Sequence, residues 1–180
     1  MAMIFISGAA GVGKTTVVDN LRRRLPREKY ALHDIDESDL WTHDYQAWRA
    51  AKVDYWLQRS KSNNETGMDT VLSGIVSPNV VADVPTFSAE LPIKYVLLHA
   101  APEVLALRLI SKFGTEEERA EFDEERIRQM KEFVDGHLAK NKKLLEAFGS
   151  CADAVVIDTT HSAPDEVCER VREHLLALKD

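Results

Sequence analysis

A chain of 180 residues with 44% hydrophobic and 29% charged residues is sized and composed for one domain with a sizeable core. Its formal net charge of −7 argues against a broad nucleic-acid surface, so a phosphate site has to be a local positive pocket in an acidic protein. No apolar run reaches the roughly 20 residues of a membrane span; Cys151 and Cys168 match no metal or redox spacing and fit small apolar residues in a reducing, cytoplasmic compartment.

Residues 3–6, Met-Ile-Phe-Ile, read as a buried strand, expected to open the fold and not to be a cleavable leader. Residues 8–15 then spell G-x-x-x-x-G-K-T, and Val17, Val18, Leu21 and Leu25 recur at helical spacing up to Pro26. Strand, glycine loop and helix in that order are the context a phosphate-binding loop requires. Gly8, Gly11 and Gly13 give the backbone freedom that Ala9, Ala10 and Val12 lack. Amides from Gly8 to Thr16 can therefore converge on one anion at the positive end of the helix. Lys14 supplies a point charge at the β- and γ-phosphates, and the Thr15 hydroxyl is a hard oxygen ligand for Mg2+. The competing reading is a glycine-rich turn that contains a lysine; the strand–loop–helix context favours ATP with Mg2+.

Residues 30–33 read as a second strand ending in Asp34-Ile35-Asp36-Glu37. If the strand continues that far, alternation in Asp-x-Asp points both carboxylates to one side, toward the crevice at the C-terminal edge of an α/β sheet. Asp34 is a candidate to hold a Mg2+-bound water or accept a hydroxyl proton, and Asp36 to grip a substrate hydroxyl; a solvated acidic turn is the competing reading. Residues 41–62 are predicted helical and contain Trp41, Tyr45, Trp48, Tyr55 and Trp56. Tyr45, Trp48, Lys52, Tyr55 and Trp56 share one helical face, which suits packing on the sheet. Trp48, with Arg49 or Lys52 beside it, is also a candidate to flank an acceptor and hold an anionic group. Residues 69–74 read as a third strand, with Ser73 a candidate donor and Gly74 a candidate for close ligand approach. Residues 80–91 fit a short helix or a loop.

Residues 93–100 form a fourth strand and Pro102 starts a helix carrying Arg108 and Lys112 on one face. His99 fits a structural role better than a ligand contact. Residues 113–123 are acidic and suggest a cover over the nucleotide, within about 112–128. Arg119, Arg126 and Arg128 are its candidates to reach the phosphates, the competing reading being weak surface pairs. A long helix to about Phe148, a fifth strand at 154–158, a loop at 159–164 and a last helix with Glu166 in its first turn complete the chain.

Five strands alternating with helices imply a mainly parallel sheet covered on both faces. With the phosphate loop behind the first strand, the chain resembles the P-loop kinases of small molecules, among them shikimate, gluconate and adenylate kinases. The resemblance implies one three-layer α/β/α P-loop NTPase domain over 1–180 with a five-stranded parallel sheet in the order 2-3-1-4-5. It implies a catalytic role for Lys14, Asp34 and Arg108. In shikimate kinases an Asp-x-Asp pair matches Asp34 and Asp36, the first contacting Mg2+ water and acting as base, the second contacting substrate. Arg108 matches the residue that stacks on adenine, Lys112 stands where a second arginine is usual, and Asp158, Thr159 and Thr160 resemble the base-recognition loop. The glycine triplet that many shikimate kinases use is replaced by Leu72-Ser73-Gly74-Ile75, which argues against shikimate. Asp44-Tyr45-Gln46 with Trp48-Arg49 is similar to a tunicamycin-resistance P-loop protein, which brings an antibiotic acceptor into view.

The implied activity is transfer of the ATP γ-phosphoryl group to a hydroxyl of a small molecule. No nucleic acid or membrane partner is expected, and the protein is expected to be a monomer or homodimer. A nucleoside monophosphate kinase is the alternative; it needs arginines around the acceptor, of which Arg49 is the obvious one. A nucleotide-binding regulator without an acceptor is the alternative from another class. Against it, no D-x-x-G is present, Asn141-Lys142-Lys143-Leu144 lacks the aspartate of a guanine motif, and large ATPase machines place their acidic pair further along longer chains.

Overall fold

The computed structural model describes residues 1–38, 40, 44–88 and 90–177. Five strands, β1 (Met3–Ser7), β2 (Tyr30–Asp34), β3 (Asp69–Gly74), β4 (Ile93–His99) and β5 (Ala154–Asp158), form one sheet in the order β2-β3-β1-β4-β5. All four pairings are parallel. Helices α1 (Lys14–Arg24), α2 (Tyr45–Glu65), α3 (Pro78–Ala82), α4 (Pro102–Ile110), α5 (Glu116–Ala120), α6 (Glu124–Gly149) and α7 (Pro164–Ala177) make the crossovers. This is the three-layer P-loop NTPase architecture, with the strand order that the resemblance implies.

Burial on both sides explains why the central strands read as continuous apolar runs. Along β1, Ile4 and Ile6 face the layer built by α1, α4 and α7, and Met3 and Phe5 face the layer built by α2 and α3. In β4, Val96 and Leu98 alternate with Tyr95 and Leu97 in the same way. Fully burying a side chain of this kind is worth roughly 1.5–3 kcal/mol, so a register slip in either strand would be costly on both faces at once.

Helix α6 belongs to both layers. Val134 packs with α1, α4 and α7, whereas Leu144 and Phe148 pack with α2 and α3. Between them, buried Asn141 donates through Nδ2 to the carbonyl of Ala100, just past the end of β4, at 2.9 Å. The middle of α6 therefore crosses the sheet at the C-terminal end of the strands, where the phosphate loop lies.

The aromatic helix starts at Tyr45 and its buried face differs from the expected one. Arg49, Lys52, Val53, Trp56, Leu57 and Ser60 point inward, whereas Tyr55 is exposed. Val53 and Leu57 sit four residues apart and set the stripe, so packing follows the aliphatic pair and not the aromatic count. The expectations on Trp41 and on the Tyr45 side chain lie outside the described residues. The stretch 80–91, read as a short helix or a loop, begins inside α3, which Pro78 opens at its first position.

Candidate active site

Local backbone geometry explains the phosphate loop. Gly8 takes φ 151°, and a Cβ there would lie 2.5 Å from the Leu98 carbonyl oxygen, so no other residue fits. Gly13 ends the loop as N-cap of α1 at φ 101° and offers no side-chain cap to the first amides of the helix. A Cβ at Gly13 would meet nothing within 4 Å, so the mouth of the cradle is open. With the loop amides and the positive helix end pointing into that space, the cradle suits a phosphate chain.

Lys14 bends back over the loop and donates to the carbonyls of Gly8 at 2.7 Å and Ala9 at 2.8 Å. Burial lowers its pKa to about 8; Asp34 opposes that shift, while Lys112 and Arg49 add to it. Asp34, Lys112 and Arg49, from three different segments, thus act electrostatically on one ammonium.

At the end of β2, Asp34 is locked from two sides. Its Oδ1 accepts from the Asp36 amide at 3.0 Å, and its Oδ2 accepts from the Ser73 hydroxyl at 2.5 Å. Ser73 is buried on β3, which pairs with β2 in register at this level. The expectation that Ser73 donates to a ligand is thereby corrected: its hydroxyl is used to orient Asp34. Gly74 is corrected as well. A Cβ there would approach Ile35 Cγ2 to 2.6 Å, so the neighbour that requires glycine is a side chain of the fold and not an incoming molecule.

Asp36 is more exposed, and its Oδ1 pairs with Lys52 Nζ at 3.1 Å. Lys52 is only 3% exposed and lies over the Trp48 ring, 4.3 Å from the centroid, while the Arg49 guanidinium is 4.8 Å from the same centroid. Trp48 donates its indole N–H to the Leu40 carbonyl at 2.6 Å. The indole thus serves as a platform for two cations at the wall of the site.

On the other side of the loop, Arg108 reaches from α4 to the segment after β5. It donates to Thr159 Oγ1 at 3.1 Å, to the Thr159 carbonyl at 2.7 Å and to the Thr160 carbonyl at 3.3 Å. Asp158 accepts from the Thr160 amide at 2.8 Å, which shapes the turn. Arg108, Thr159 and Pro164, with Gly11, Gly13 and Thr16 of the loop, enclose a cavity of about 230 Å3. Flat guanidinium and loop walls suit a planar ring stacked at the end of the phosphate chain.

A second, larger cavity of about 510 Å3 opens between α2, α3 and α6. Ile75, Val80 and Leu144 give it an apolar floor, and Arg49, Lys140 and Lys143 face it against one acid, Asp83. Lys140 and Lys143 escaped the sequence reading. Their signal lay in the spacing of His137, Lys140, Asn141 and Leu144, a helical stripe that mixes cations with buried positions.

The segment read as a cover is ordered around α5. Thr115 and Glu118 form a capping box, Arg119 donates to the Gly114 carbonyl, Arg126 lies 4.3 Å from the Phe122 ring centroid, and Arg128 pairs with Glu125. These arginines are engaged within the segment itself.

A family model described as an AAA domain matches residues 4–129. The chain belongs to this P-loop family. The match covers the loop, Asp34 at the end of β2, Asp36 just after it, and α4, and it ends before the His137–Leu144 stripe. In three dimensions the chain is similar to an unliganded crystal structure of a sugar kinase from Janibacter sp. HTCC2649, with a TM-score of 0.61 and 15% identity over 97% of this chain and 94% of that one. No curated protein matches by sequence. Family and fold bear out the resemblance to P-loop kinases. No described helix is long and apolar enough to cross a membrane. Among the described residues no group of three His, Cys, Asp or Glu forms a metal site, so a Mg2+ ion would depend on Thr15, Asp34, phosphate oxygens and water.

Proposed function

We propose that the protein transfers the γ-phosphoryl group of ATP to a hydroxyl of a small molecule. The observation that carries this reading is the Asp34 carboxylate, fixed by Ser73 at the end of β2 and within electrostatic reach of the Lys14 ammonium on the phosphate loop. Loop amides and Lys14 hold the phosphates, and the Arg108–Thr159 wall holds the base. Thr15 and, through water, Asp34 would hold Mg2+, which would supply charge neutralisation for the transferred phosphoryl group. The acceptor hydroxyl oxygen forms a bond to the γ-phosphorus as the bond to the bridging oxygen breaks, its proton passes to Asp34, and ADP leaves. Asp34 needs its fixed orientation for this, because phosphoryl transfer is accelerated by positioning and electrostatics.

The acceptor binds in the cavity between α2, α3 and α6. Arg49, Lys140 and Lys143 outnumber Asp83 there, and Ile75, Val80 and Leu144 line the rest, which favours an anionic molecule with an apolar portion. The same cations support a second reading, a nucleoside monophosphate kinase whose acceptor oxygen is itself a phosphate oxygen. The reading includes a cytoplasmic monomer or homodimer whose partner is a small molecule, with residues 112–128 as a lid.

Asp34→Asn tests the assignment. Removing a general base costs about 10²–10⁴ in turnover. Nucleotide affinity, measured separately, is expected to change much less. An equal loss of both would remove the proposed role of Asp34.

A further inference from the structure

The imidazole of His137 on α6 meets the phosphate loop directly: the Ala10 amide donates to its Nδ1 at 3.4 Å. The ring is held edge-on by Phe133, 4.5 Å between centroids, and Phe133 in turn meets Phe113 at 5.4 Å, at the base of the segment read as a cover. A few residues on, Asn141 fixes the same stretch of α6 to the end of β4. The histidine is therefore aimed at the cradle by packing on one side and by a buried hydrogen bond on the other. It lies outside the matched family region.

The Ala10 amide belongs to the loop between β1 and α1 that would hold a phosphate chain. In the described arrangement that donor is directed at His137, which requires Nδ1 to be unprotonated. Among the described residues the charged groups that act on the ring are cationic: Lys140 on α6 itself, Lys14 at the loop and Lys112 in the turn after α4. Burial first, and these cations with it, lower the histidine pKa and so favour the neutral ring.

We propose that His137 is a phosphate-binding residue that takes up a proton when a nucleoside polyphosphate enters the loop. The incoming anion reverses the sign of the local potential and accepts the Ala10 N–H. Nδ1, released from that amide, becomes N–H and donates to a phosphate oxygen. Proton and polyphosphate then each strengthen the binding of the other, as linkage requires. The inference rests on nucleotide binding at the loop but not on the identity of the acceptor.

The test uses the full chain with Mg-ADP and Mg-ATP. Titration calorimetry at neutral pH in buffers of different ionisation enthalpy gives the protons taken up on binding. Wild type is expected to take up more than His137→Gln, and its affinity should fall with rising pH by at most roughly tenfold per pH unit more than the variant's. Because ligand and Lys14 titrate in both proteins, only the difference is assigned to His137. Long-range 1H–15N spectra should show His137 Nδ1 unprotonated in the free protein and protonated in the complex. Binding with equal proton uptake in both proteins, or a ring that stays neutral in the complex, would overturn the inference alone. Absence of any binding heat would overturn it together with the nucleotide reading.

Discussion

Ser73 Oγ sits 2.5 Å from Asp34 Oδ2, joining the ends of two neighbouring strands at the edge of the site. The bond has a structural and a functional consequence. A hydrogen bond to a charged group contributes about 1.5–3 kcal/mol, so Ser73→Ala should lower stability by an amount of that order. It should also lower kcat roughly tenfold by loosening the carboxylate while leaving nucleotide affinity nearly unchanged. Steady-state kinetics beside a urea melt separates the two. A rise in nucleotide Kd with kcat intact would contradict the orienting role.

At the end of β3 the packing itself can be tested. A methyl group at Gly74 would overlap the β-branched Ile35 side chain, which cannot swing aside freely. Gly74→Ala should therefore destabilise by about 1–3 kcal/mol, the range for overpacking. Combined with Ile35→Ala, the added methyl should cost much less. Additive losses in the double variant would show that Gly74 is kept for another reason.

How much of this was legible in the sequence differs between the fold and the site. The loop could be read because its glycines, Lys14 and Thr15 are fixed in spacing by the geometry of one anion. β1 and β4 could be read because burial on two faces demands unbroken apolar runs. Asp34 and Asp36 could be found as an acidic pair at a strand end, but strand alternation does not relate them: β2 stops at Asp34 and Asp36 lies in the 3-10 turn that follows, so their different fates could not be read. Asp36 is paired by Lys52, which arrives from a helix one turn beyond Trp48, and Asp34 is gripped by Ser73 from the neighbouring strand. Such pairings depend on crossing distances that local pattern does not encode. His137, Lys140 and Lys143 were missed because α6 reads as one long amphipathic helix: the stripe of His137, Lys140, Asn141 and Leu144 marks a face, but not that this face crosses the mouth of the sheet.

The cavity between α2, α3 and α6 gives a third prediction. Lys143→Ala and Lys140→Ala should raise the KM of an anionic acceptor several-fold each, with kcat and the KM of ATP little affected. Charge reversal, Lys143→Glu, should do so more strongly, because a like charge facing the ligand repels it. An acceptor whose KM ignores all three changes would place its binding elsewhere.

His174 on α7 provides a pH signature that does not involve the site. Among the described residues its buried Nε2 has no hydrogen-bond partner, and burial together with Lys94 lowers its pKa below 6.5. Between the lowered folded value and 6.5 the unfolded chain binds more protons, so this group's stabilising contribution is complete above 6.5 and is lost as pH falls through the folded value. Thermal melts should show wild type losing stability below 6.5 faster than His174→Phe. Parallel pH profiles for the two proteins would contradict the assignment.

The most direct measurement of the central claim follows the phosphoryl group itself. The protein is incubated with Mg-ATP carrying heavy oxygen on the γ-phosphate and with a pool of hydroxylated, anionic metabolites, and the products are weighed by mass spectrometry. The account predicts release of ADP that depends on the pool, one new compound heavier by a single labelled phosphoryl group, and loss of both in Lys14→Ala and Asp34→Asn. ADP released equally with and without the pool, with all the label in inorganic phosphate, would contradict it.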